Sequence, residues 1–312
     1  MQARLVIGSR GSRLALTQSH WVRRQLMAAH PHLRQHDIVI VPIRTKGDQI
    51  TDRTLMELGG KGLFTQAIED RLVDGRIDLA VHSMKDMPTR LPEGLALAGC
   101  PKREDARDML LCAAASSIAA LPEGARVGTA SLRRAAQLRA RRPDLEIAPL
   151  RGNVGTRLEK LRAGEVDATL LACAGLNRLN QAVPEGHPIA LEDMLPAVGQ
   201  GALALEIRAE DKATAALLAP LHDAATTWAV IAERAFLAAL DGDCRTPLAA
   251  HAVVTGDRLS LSAEVLSVDG RQVFRAQRQG AARDAENIGA AAAQAIMVEA
   301  GDRFIAGLKG GQ

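Results

Sequence analysis

The run Ala80-Val-His-Ser-Met-Lys-Asp-Met-Pro88 places His82, Ser83, Lys85 and Asp86 directly after an apolar segment, Ile77-Asp-Leu-Ala-Val81. A Lys beside an Asp at a strand end offers an anion anchor next to an acid/base. In open parallel sheets the carboxyl end of the strands is where ligands bind. Pro88 stops a helix from continuing there. The plain alternative is a surface turn with an ordinary ion pair.

Four further segments bear on that choice. Ser9-Arg-Gly-Ser12 sits between an apolar segment and a helix pattern, with Ser12 as N-cap and Arg10 as an added charge. Thr129-Ala-Ser-Leu-Arg-Arg134 repeats the arrangement: Thr129 and Ser131 offer hydroxyls, and Arg133 and Arg134 fall in the first helical turn. Cations at a helix N-terminus oppose the dipole, so their placement there points to an anion. In Leu150-Arg-Gly-Asn-Val-Gly-Thr-Arg157, Gly152 allows close backbone approach, and Arg151 and Arg157 flank it. Arg178 follows the apolar segment 168–172. Capping or a solvated basic face explains any one of these. Together they imply a polyanion of carboxylates or phosphates along one edge of a two-lobed cleft.

Cys244 lies in the polar turn Asp241-Gly-Asp-Cys-Arg-Thr-Pro247. Arg245 lowers a thiol's pKa while Asp241 and Asp243 raise it, a mixture suited to a thiol that holds something rather than one that turns over. Cys112 and Cys173 end apolar segments and read as core. None of the four cysteines has C-x-x-C or Cys/His metal spacing.

The elements that must position these residues alternate. Over the first 100 residues the order is strand 5–7, helix 12–29, strand 37–43, helix 63–73 and strand 77–81, the pattern of a parallel sheet with helical crossovers. Between Arg44 and Gly62 the pattern lapses into a polar stretch ending in Gly59-Gly-Lys-Gly62, the mark of a lid, a binding loop or disorder. A second α/β unit follows, with strands 107–112, 126–128, 145–149 and 168–172. The strand 203–208 has no sheet of its own nearby, which predicts a return to the first lobe and two crossings of the chain. From about residue 223 a helix, three strands and a long Ala-rich helix form a small α+β module with an antiparallel sheet.

Composition excludes some classes. The chain has 312 residues, with 47% hydrophobic and 24% charged residues and a net charge of +3. No apolar run approaches the ~20 residues of a membrane span, and the N-terminus shows no signal-peptide layout, so the cytoplasm is expected. Of the 39 basic residues 32 are Arg, the side chain suited to bidentate carboxylate recognition. Aromatics are 2%, too few for the stacking platforms of single-stranded nucleic acid binders.

Taken together these segments, with Gly59-Gly-Lys-Gly-Leu-Phe64, Arg103-Glu-Asp-Ala-Arg-Asp108 and Leu195-Pro-Ala-Val-Gly-Gln-Gly-Ala202, resemble the porphobilinogen deaminases over nearly the whole chain. The resemblance implies a transferase that joins four porphobilinogen units head to tail, releases ammonia each time, and frees hydroxymethylbilane. It implies a dipyrromethane primer attached by a thioether to Cys244, and Asp86 as the carboxylate that faces the pyrrole nitrogen. It implies that Ser83, Lys85, Ser131, Arg133, Arg134 and Arg157 bind cofactor or substrate carboxylates, with Thr129, Arg151, Gly152 and Gln200 near them. Arg10, Ser12 and Arg178 would bracket the catalytic carboxylate, and Lys61 and Phe64 would lie in the covering segment. The implied fold is α/β, with two type II periplasmic-binding-protein-like lobes (1–101 with 202–219, and 106–196) and a C-terminal α+β domain (223–312) with a three-stranded antiparallel sheet. The resemblance implies a cytoplasmic monomer without nucleic acid, membrane or metal. Glu57 stands where some members have Lys, and Asp243 where Gly is frequent, so neither is given a role. A non-catalytic two-lobed anion-binding protein is the alternative; it accounts for the lobes and arginines but not for Asp86 or Cys244.

Overall fold

The structure is a computed structural model that describes residues 4–45, 47, 62–242 and 246–309. Along the chain come β1 (Leu5–Arg10), α1 (Arg13–Ala29), β2 (Ile38–Ile43), α2 (Gln66–Val73), β3 (Leu79–Ser83) and β4 (Leu95–Leu97). Next are β5 (Asp108–Leu111), β6 (Arg126–Gly128), α3 (Leu132–Arg141), β7 (Glu146–Ala148), α4 (Val154–Arg162), β8 (Ala168–Ala172), α5 (Cys173–Arg178) and β9 (Gly186–Pro188). The chain ends with β10 (Leu203–Arg208), α6 (Lys212–Leu218), α7 (Ala224–Ala239), β11 (Leu248–Thr255), β12 (Arg258–Leu266), β13 (Val273–Ala281) and α8 (Ala285–Lys309). Among the described residues no single helix is long and apolar enough to cross a membrane.

The chain divides into two compact units, Met1–Glu104 with Ala202–Thr227 and Asp105–Gly201 with Trp228–Gln312. The first contains a five-stranded sheet of order β2-β1-β3-β10-β4, the second one of order β7-β6-β8-β5-β9. The two follow one rule. Three strands run parallel, a fourth runs antiparallel to the third, and a fifth runs antiparallel to the fourth. In each sheet the fourth strand, β10 or β5, is the one by which the chain arrives from the other unit. This is the double crossing expected of the two lobes.

Side-chain alternation along β3 sorts the first unit. Leu79 and Val81 pack with Val22 and Leu26 of α1, while Ala80 packs with Ile68 and Leu72 of α2. Both faces are therefore covered, as a parallel sheet requires. The strand expected at 77–81 begins instead at Leu79. The Ile77 carbonyl is occupied by Arg208 Nη1 at 2.6 Å rather than by a neighbouring strand. The three-residue strands β4 and β9 and the short α6 were not foreseen, since segments of that length carry no readable period.

The second unit also holds the antiparallel sheet β11-β12-β13. Its core joins Leu248, Leu261 and Val265 to Phe236 of α7 and Ile296 of α8. The β12–β13 turn is seated on α3, where Arg139 Nη1 donates to the Val268 carbonyl at 2.9 Å. Gly270 makes the closest approach: its φ is +74°, and a Cβ there would lie 2.7 Å from the Ala136 carbonyl oxygen and the Ala140 nitrogen. Gly270→Ala is therefore expected to cost more than about 1 kcal/mol, from left-handed strain together with a backbone clash. A thermal melt against wild type checks this, and an unchanged midpoint would show that the turn lifts freely off α3.

Candidate functional site

In the first unit the expected residues gather at the carboxyl ends of two adjacent parallel strands, β1 and β3. Arg10 ends β1, and its guanidinium lies over the Phe64 ring, 4.2 Å from the centroid. This cation–π contact brings Phe64 to the same edge. Ser12 Oγ caps α1, accepting from the Ala15 N–H at 3.3 Å, which leaves its own hydroxyl proton to donate elsewhere. Ser83 closes β3 on the α1 face and receives Gln18 Nε2 at 3.0 Å. Met84–Asp86 then form one 3₁₀ turn, tied down by the Met84 N–H to the Ala202 carbonyl at 3.0 Å. The turn leaves Lys85 and Asp86 exposed and Met84 buried. His82, grouped with them in the sequence, departs from the expectation. It points to the α2 face, is 5% exposed, and donates to Glu206 from within the core.

In the second unit the residues again follow three adjacent parallel strands, β7, β6 and β8. After β6, Thr129 Oγ1 accepts from the Ser131 N–H at 3.1 Å, and Ser131 Oγ caps α3 at 3.4 Å. After β7, Gly152 has φ +117°, a conformation a side chain rarely adopts. Its carbonyl accepts from Arg157 Nε at 2.9 Å, so the turn that carries Arg151 also orients Arg157. Arg178, in α5 after β8, reaches the Gly201 carbonyl at 2.7 Å.

An anion for the cations of α3 exists within the chain. Asp108, at the start of β5, is fully buried. Arg133 Nη2 lies 2.8 Å from its Oδ2 and Arg134 Nη2 lies 2.7 Å from its Oδ1. Gln200 Nε2 donates to Oδ1 at 2.9 Å and to the Ala106 carbonyl at 2.7 Å. Backbone carbonyls take further donors: Leu195 accepts from Arg133 at 2.7 Å and Leu170 from Arg134 at 2.8 Å. Burial works to raise the Asp108 pKa, but the two guanidiniums outweigh it and hold the carboxyl well below the usual range.

One carboxylate does not balance this cluster. Two guanidiniums face Asp108, and Arg157 is close enough to feel Arg134 and Arg151. Burial first, then those two cations, push Arg157 down to about 10. Among the described residues, Arg134 Nε and Asp108 Oδ2 are buried with no hydrogen-bond partner. An excess of cations with an unused donor is what a polycarboxylate would complete.

Asp108 was missed as a partner because it lies in the strand expected at 107–112, whose sequence does not say which cations end beside it. Gln18 was missed as well, although its place on the apolar stripe of α1, between Ala15 and Val22, is a signal for a buried polar contact. Lys61, Cys244 and nearly all of the covering segment 44–62 lie outside the described residues. Cys100, Cys112 and Cys173 are buried. Burial pushes the Cys173 thiol up to about 12, which makes it inert at neutral pH.

Residues 5–216 match the family described as "Porphobilinogen deaminase, dipyromethane cofactor binding domain", and residues 227–297 match "Porphobilinogen deaminase, C-terminal domain". The chain belongs to the porphobilinogen deaminase family. It is 50% identical over 304 residues to a porphobilinogen deaminase of Syntrophotalea carbinolica, covering 97% of this chain and 96% of that one. It is 48% identical over 307 residues to that of Roseiflexus castenholzii, covering 98% and 100%. Among solved structures, an extracellular-binding protein of a probable amino-acid ABC transporter from Bacillus subtilis is 12% identical. Its TM-score is 0.41, over 71% of this chain and 90% of that one. The expected transferase class, the tetrapyrrole product and the dipyrromethane cofactor stand with the family membership, and the non-catalytic anion-binding protein does not.

Proposed function

We propose that this chain condenses porphobilinogen with Asp86 as the catalytic carboxylate and Cys244 as the point of cofactor attachment. The observation that carries the reading is the cationic excess around Asp108, with Arg134 Nε buried and unpartnered. A dipyrromethane fits such a cluster, since each of its rings bears two carboxylate side chains. When bound, it supplies the pyrrole carbon on which the product chain is extended. Arg133, Arg134, Arg151, Arg157 and Arg178 would take those carboxylates, Ser131 and Thr129 would donate hydroxyls, and Gly152 would let the backbone approach. Gln200 would hold the array through Asp108. Lys85, Ser83, Ser12 and Arg10 would anchor the carboxylates of porphobilinogen, with Phe64 keeping Arg10 in place and Lys61 in the covering segment.

Loss of ammonia from porphobilinogen leaves positive charge on a pyrrole nitrogen. The exposed Asp86 carboxylate can stabilise that charge and carry a proton to or from the nitrogen. The tight turn Met84–Asp86 fixes it without loop motion. Cys244 is assigned by resemblance, and burial of the other three cysteines supports it.

The proposal divides the chain into domains at 1–101 with 202–219, 106–196 and 223–312, supported by three separate sheets. It carries over a cytoplasmic monomer that acts without nucleic acid or membrane. The free thiols at Cys112 and Cys173 accord with a reducing compartment.

Intact mass tests the attachment. The purified wild-type chain is expected to be heavier than its sequence by one dipyrromethane, and Cys244→Ser to match its sequence. An excess that survives in Cys244→Ser would move the attachment elsewhere.

A further inference from the structure

Behind the Lys85–Asp86 turn lies a buried group of titratable side chains that the proposed chemistry does not use. His82 Nε2 donates to Glu206 Oε2 at 3.0 Å, joining β3 to β10 on the face covered by α2. Glu69 reaches the same place from α2 and is 6% exposed, while Glu206 is fully buried. Among the described residues, Glu69 Oε1 and Glu206 Oε1 have no hydrogen-bond partner, while the Thr65 hydroxyl lies beside the Glu69 carboxyl.

The charges do not balance if both carboxyls are ionised. One imidazole brings at most one positive charge against two negative ones. The strands packed on α2 do not correct this. β4 has no titratable residue, Arg10, the one cation of β1, is stacked on Phe64, and Arg208 of β10, which donates to the Leu72 carbonyl of α2, is already paired with Asp78 and Asp211. Asp70, next to Glu69 on α2, adds negative charge. An unbalanced buried charge is costly, and so are unpartnered carboxylate oxygens. One added proton removes the excess and turns an orphaned acceptor into an O–H donor. Burial pushes the Glu69 carboxyl above its usual range; the Thr65 hydroxyl opposes it, and the charge of Glu206 adds to it.

We propose that Glu69 carries a proton at neutral pH, and that Glu69, Glu206 and His82 position the end of β3 from which Lys85 and Asp86 project. Glu69, His82 and Glu206 are positioning residues, since none of them touches the reacting atoms. The inference rests on the reading of Asp86 for its kinetic consequence only.

The test uses the cofactor-loaded protein. Glu69→Gln imitates the protonated acid, and Glu206→Gln deprives His82 of its carboxylate. Glu69→Gln is expected to keep kcat within about twofold of wild type. Glu206→Gln is expected to lower kcat at least about tenfold with KM nearly unchanged, because the turn is displaced rather than the carboxylate anchors lost. A second readout is melting temperature against pH. A carboxyl whose pKa is raised on folding keeps a proton that the unfolded chain releases, so its contribution to stability falls as pH rises above the usual Glu value of about 4.3. The difference between Glu69→Gln and wild type should therefore widen in favour of the variant as pH rises. Parallel melting curves would overturn the proposal. So would Glu69→Gln being as damaging as Glu206→Gln, or Glu206→Gln having wild-type kcat. If Glu206→Gln does not fold, the Glu69→Gln melts decide alone. The melts do not involve Asp86, so they fail or succeed independently of its assignment.

Discussion

Asp86→Asn is expected to lower bilane formation by about 10²–10⁴-fold in kcat, the range for loss of a positioned acid/base or a charge-stabilising group. The substitution keeps the volume and removes the charge. Asp86 is exposed on a turn whose anchor is the Met84 backbone, which the variant leaves untouched. Its stability should therefore stay within about 0.5 kcal/mol of wild type. The intact mass should still show the bound cofactor, because the arginines proposed to hold it lie after other strands. Single-turnover kinetics on loaded protein give the rate, and a melt gives the stability. Turnover within tenfold of wild type would remove Asp86 from the catalytic role. A collapsed melt would make the turn a structural element instead.

Asp108→Asn has the opposite profile. Asp108 has no exposure, and it compensates Arg133 and Arg134 at 2.8 and 2.7 Å. Removing its charge leaves two buried guanidiniums facing an amide, a loss of about 3–5 kcal/mol for a broken buried pair. The effect has a definite pH dependence. The folded carboxyl is held below the unfolded value of about 3.9, so its stabilisation is complete above that pH and fades as pH falls toward the folded value. The gap between wild type and Asp108→Asn should thus be widest near neutrality and narrow in acid. The variant should also load cofactor poorly, since the two arginines lose the partner that aims them. Intact mass reads this separately from the melt. Full loading with a near-normal melt would mean that the Leu170 and Leu195 carbonyls hold the arginines without Asp108.

Much of the site was legible because its cations sit at strand-to-helix junctions, which sequence period marks well. Ser12, Ser131 and Arg157 lie at the helix starts the pattern implied. Strand 203–208 was legible as a return because an isolated apolar run needs a sheet to join, and it pairs with β3 and β4. What sequence could not supply was pairing across distance. Asp108 meets Arg133 and Arg134 only because β5 runs antiparallel to β8 and so starts beside the end of β8. His82 looked like a member of the functional run, but alternation along β3 turns it to α2, and the identity of its partner depends on the register of β10. Composition and period do not encode that register.

The exchange of fourth strands has a consequence for synthesis on the ribosome. All strands of the sheet β7-β6-β8-β5-β9 lie within residues 108–188, so it can close as soon as that stretch has emerged. The sheet begun first, β2-β1-β3, lacks its fourth strand until Leu203–Arg208 is made, and β4 has no partner strand before then. The N-terminal sheet is thus the later of the two to be completed. Its β3 edge, bearing Lys85 and Asp86 at its tip, waits unpaired while more than a hundred residues are added. An open strand edge of that duration is a hazard for misassociation. Vectorial folding of this chain therefore runs against the usual N-to-C order, and the tip that carries the chemistry is among the last parts of the first sheet to become fixed.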